Sequence, residues 1–178
     1  MMRVGCMAAL ILFNYVLQST VLVRFSVLGV APDTAIILIV SYGLLRGDVE
    51  GAIFGFFAGL THDIFGSPFI GLYAMLGMFT GFVAGKPFKD YFKDNYFLPF
   101  MIVVVATFVY QILYFFASFL IASFMSWSRS DFLFYFTTII FPKTIYTASV
   151  AIPLYSLMFV INSRIEEFES GRRSLFKE

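Results

Sequence analysis

Charge is scarce in this 178-residue chain: 13% of its residues are Asp, Glu, Lys or Arg, about half the share a soluble domain carries on its surface. It also holds one cysteine, one histidine and one tryptophan, and each shortage excludes something. A single cysteine, Cys6, makes no internal disulfide and reads as a small apolar residue at a helix start. One histidine and one cysteine leave few bases, nucleophiles or metal ligands. No H-E-x-x-H, G-x-S-x-G or phosphate loop occurs, and Gly66-Ser67-Pro68 is a turn rather than a nucleophile elbow. No catalytic, cofactor-binding or metal-binding residue is therefore expected. A net charge of +1 provides no attraction to nucleic acid.

What is abundant is apolar surface. Hydrophobic residues make up 60% of the chain and aromatics 20%, with 25 phenylalanines, and the mean hydropathy is +0.89. Such a chain takes lipid as its solvent. Cutting at every charge leaves four uncharged runs long enough to cross a bilayer: Val4 to Val23, Ile64 to Gly85, Asn95 to Ser128 and Thr144 to Ser163. The first has no small-residue cleavage site behind a short core, so it reads as an uncleaved span. Two pieces of 12 residues, Thr34 to Leu45 and Gly51 to His62, are too short alone. Extended to 27–45 and 47–65 they become crossings with Asp33 and Asp63 near the outer interface. A re-entrant hairpin would instead carry Arg46, Asp48 and Glu50 to mid-bilayer, at ~2.5 kcal/mol or more for each charge.

The expected fold is an all-α membrane protein, a polytopic bundle of six transmembrane helices, with five as the alternative count. The spans are 4–23, 27–45, 47–65, 69–85, 97–125 and 144–163. An outer amphipathic segment at 130–141 precedes Pro142, which opens the last span, and a short cytoplasmic tail covers 164–178. With both termini in the cytoplasm, nine basic residues lie inside and three (Arg24, Arg129, Lys143) outside, as the positive-inside rule asks. The connection Lys86 to Asn95 mixes charge with Phe88, Tyr91 and Phe92 at helical spacing, which suits an interfacial helix. Trp127 marks an aromatic interface, with Ser130 and Asp131 as cap candidates.

Glycine is unevenly spread: ten of the 13 fall between residues 43 and 85. Gly43, Gly47, Gly51, Gly55 and Gly59 recur every fourth residue, and Gly77, Gly81 and Gly85 repeat the interval in the next span. In lipid, where no hydrophobic force presses helices together, small-residue faces that let backbones approach supply the packing. A four-residue stripe drifts ~40° per step, which suits crossed helices. The two grooves either pack the third and fourth spans against each other or receive a partner's transmembrane helix.

Six polar residues stand out. Asn14 and Gln18 share one face of the first span and read as interhelical glue or a partner contact. Asp33 follows Pro32 and suits a helix N-cap. Arg46 reads as an inner-interface anchor that also meets its helix's C-terminal dipole. His62 and Asp63, at the outer end of the third span, mark the place for a polar, pH-responsive or partner-binding site.

The order of these motifs resembles the rod shape-determining protein MreD family. The residues that carry it are Asn14 and Gln18, Pro32-Asp33, Leu44-Leu45-Arg46-Gly47, Gly51, Gly55-Phe56, Gly59-Leu60, Asp63-Ile64 and Gly71. They cover about residues 10 to 85; the second half agrees in length, hydropathy and the position of Pro142. The resemblance implies a non-catalytic, multi-pass scaffold of the bacterial inner membrane, acting in cell shape and lateral peptidoglycan synthesis. Its implied partners are an MreC-like bitopic protein, the MreB filament, and the glycosyltransferase RodA with its transpeptidase. The family is also similar to the substrate-binding subunits of energy-coupling-factor vitamin transporters, which makes a vitamin uptake subunit, with an outer pocket at His62, Asp63 and Tyr73, the alternative function. The first span lacks those subunits' Ala-x-x-x-Ala signature. A coupled ion transporter using Asp33 and Asp63 is weaker, because both acids fall at span ends.

Overall fold

The computed structural model describes residues 2–22, 24, 26, 29–66, 70–86, 97–124 and 132–175. The interfacial connection after Lys86, and Trp127, Ser130 and Asp131, lie outside the described residues. Among those described, helices form six rods. The first is α1 (Met2–Leu17), which runs on as a wider π-helical turn, Gln18–Leu22. Then come α2 (Thr34–Arg46), α3 (Asp48–Gly66), α4 (Leu72–Gly85) and α5 (Phe97–Phe124). The sixth rod joins α6 (Phe132–Tyr135), a π turn over Phe136–Ile140 and α7 (Phe141–Leu175). The apolar stretches Phe100–Ile121 in α5 and Phe136–Arg164 in the sixth rod are long enough to cross a bilayer.

The axis of the bundle is α2. From Thr34 to Leu44 every residue but Ala35 is buried, because α3, α4, α5 and α7 all pack on it. One apolar cluster joins Ile36, Ile37, Val40 and Leu44 of α2 to Ala84, Val103, Tyr110, Ala151 and Tyr155. A second joins Leu38, Ile39 and Tyr42 to Ile11 of α1, Phe54 and Ala58 of α3, and Met158 of α7.

Four expectations about boundaries are corrected. The second helix does not reach back to residue 27. It starts at Thr34, because the Asp33 carboxylate accepts the Ile36 N–H and caps it there. Its 13 residues rise only about 20 Å. Wrapping by other helices is what makes so short a rod tolerable, since its polar ends then face protein rather than hydrocarbon. The fourth helix likewise begins at Leu72 rather than at 69. Finally, Pro142 does not open a separate last span behind an isolated outer segment: helix is continuous from Phe132 to Leu175. The Phe141 N–H bonds back five residues to the Phe136 carbonyl, and this wider turn takes up a proline that has no N–H to give. The final helix also continues through the tail to Leu175 instead of stopping near residue 163.

Candidate functional site

The glycine ladder closes on itself. Built on an ideal backbone, a Cβ at Gly51 would meet the Gly81 carbonyl, one at Gly55 that of Gly77, one at Gly59 that of Tyr73, and one at Gly85 the backbone of Gly47 and Asp48. The reciprocal probes from Gly77 and Gly81 strike Gly55 and Gly51. Each pair sums to the same register, so α3 and α4 lie antiparallel and touch at four successive turns, a seam of about 18 Å. The crossed geometry is therefore corrected. The close approaches recur at every turn from Gly47 to Gly59 instead of at a single crossing point. Gly43 of α2 enters the same seam, 2.7 Å from the Gly81 carbonyl by the same construction. Both ladder faces are thus occupied from within the chain.

Gly47 has a different job from its neighbours. Nothing lies within 4 Å of a Cβ there, but its φ of +101° with ψ of −178° is a conformation open essentially to glycine alone. It turns α2 directly into α3, bonding its N–H to the Gly43 carbonyl. Asp48 and Glu50 in the first turn of α3 suit the positive end of that helix's dipole.

At the opposite end of the seam, polar side chains from six helices meet. Asp63, 1% exposed at the end of α3, accepts the Tyr73 N–H at 3.1 Å on one oxygen and the Ala74 N–H at 2.8 Å on the other. These are free donors of the first turn of α4, whose own cap residue, Gly71, has no side chain to offer. Asp33 is 3% exposed. Besides capping α2, it pairs with Lys143 of α7 at 2.9 Å, and its backbone N–H donates to the Thr147 hydroxyl at 3.0 Å. Gln18 accepts from Thr34 at 3.4 Å and joins α1 to the same end. The His62 ring stacks on Tyr73 with centroids 4.7 Å apart and stands edge-on to Tyr15 at 6.5 Å. The Tyr73 ring centre in turn lies 4.5 Å from that of Tyr114 and 6.1 Å from that of Tyr110.

Of the residues singled out from sequence, Gln18, Asp33, His62 and Asp63 come together here. Asn14 is half-buried on α1, and Arg46 lies at the far end of α2 with its Nε buried and without a hydrogen-bond partner. Sequence reading passed over Lys143, Thr147 and Gln111, which is 3% exposed with its Nε2 unpartnered. Lys143 had a signal: it is the lone charge between Phe132 and Ser163, and a cation so placed asks for a carboxylate. The arrangement does structural chemistry. Two carboxylates hold two helix N-termini, one of them also a cation, and among the described residues no group of three or more His, Cys, Asp or Glu could hold a metal.

No curated protein and no solved structure matches the chain, and nothing found supports the likeness to vitamin-uptake subunits. A family model does match, over residues 1–164: that of the rod shape-determining protein MreD. With nearly the whole chain covered, the protein belongs to the MreD family, membrane proteins with a role in determining rod shape.

Proposed function

We propose that this MreD-family chain is a non-catalytic scaffold of the bacterial cell-elongation complex, lying in the inner membrane with both termini in the cytoplasm. It acts in lateral peptidoglycan synthesis by helix-to-helix contact with an MreC-like bitopic protein and with other elongation proteins, among them MreB, RodA and its transpeptidase. The observation that carries this reading is the use to which the polar residues are put. Asp33 and Asp63 are spent on helix caps and an ion pair, which is what a rigid holder of other chains requires. The seam supports a further point. Because the α3 and α4 glycines face each other, a partner helix meets the outer faces, where Ile53, Phe57 and Ile64 of α3 are exposed. The regions proposed to span remain the six of the sequence reading, with helix bounds as given above.

Depletion in a rod-shaped host tests the function. Rods should round and swell, and a plasmid copy should restore them. Unchanged cell shape after depletion would overturn the proposal.

A further inference from the structure

We draw no further inference here: the strongest candidate, the face of α7 on which Ser149, Ser156 and Ser163 recur every seventh residue beside the exposed Pro153, is an unpartnered stripe of small residues, and nothing in the structure shows what covers it.

Discussion

Replacing Asp33 by Asn separates two roles of one side chain. Asn caps helices about as well as Asp, so the bond from the Ile36 N–H survives. What is lost is the charge opposite Lys143, 2.9 Å away, where the two side chains are 4% and 18% exposed. Breaking a buried pair from one side leaves its partner's charge unmatched and costs about 3–5 kcal/mol. Because Lys143 keeps some exposure, the lower end of that range is expected. Lys143→Met alone leaves Asp33 charged and unmatched, and should cost a similar amount. In the double variant neither charge of the pair remains, so most of the loss should be recovered, giving a coupling of about 2 kcal/mol or more. Equilibrium unfolding in mixed micelles of the wild type, both single variants and the double variant reads all four corners of this cycle. An Asp33→Asn protein within about 0.5 kcal/mol of wild type, or strictly additive losses, would refute the claim that this ion pair clamps α2 to α7.

Other substitutions probe the remaining parts of the assembly. Gly55→Ala should lower stability by about 1–3 kcal/mol through overpacking, and Gly55→Leu should remove folded protein from the membrane fraction; full levels of Gly55→Leu would show that this face is open. Gly47→Ala and Gly47→Asn should each cost about 1–3 kcal/mol in the same unfolding assay, although space is free around the position, since the penalty lies in the backbone; a neutral pair of variants would contradict it. Asp63→Asn replaces one of two accepting oxygens by a donor and should destabilise by about 1–3 kcal/mol, seen as faster amide exchange at Tyr73 and Ala74. His62→Phe keeps the stack on Tyr73 and removes an Nδ1 that is buried without a partner. It should leave stability and rod shape as they were, and loss of rod shape with a normal fold would make His62 a partner contact.

Much of this was legible before any coordinates. The four-residue glycine interval marked α3 and α4 as helices built for close backbone approach, and Pro32-Asp33 marked a helix start. The partners stayed hidden, because a stripe announces that a backbone will come near without saying whose. Asp63 illustrates the same limit: read alone it is an acid at a span end, and only the fold brings it under the bare N-terminus of α4. The single charge of Lys143 was readable as a demand for a counterion, but three outer acids could have answered it. Boundaries were misjudged where length rules were applied helix by helix. A fixed bilayer thickness pushed α2 back to residue 27, whereas burial inside the bundle removes the need for a full-length crossing. Pro142 reads as a start because proline usually opens or breaks a helix, and a π turn is not announced by composition.

The scaffold assignment is tested most directly by asking what travels with the protein. Tagged chain should be purified from a rod-shaped host in mild detergent and its companions identified by mass spectrometry. An MreC-like bitopic protein in near-equal amount, with RodA and its transpeptidase, is the predicted result. Recovery of an ATPase pair with a coupling membrane subunit, or of the chain without any elongation protein, would contradict it.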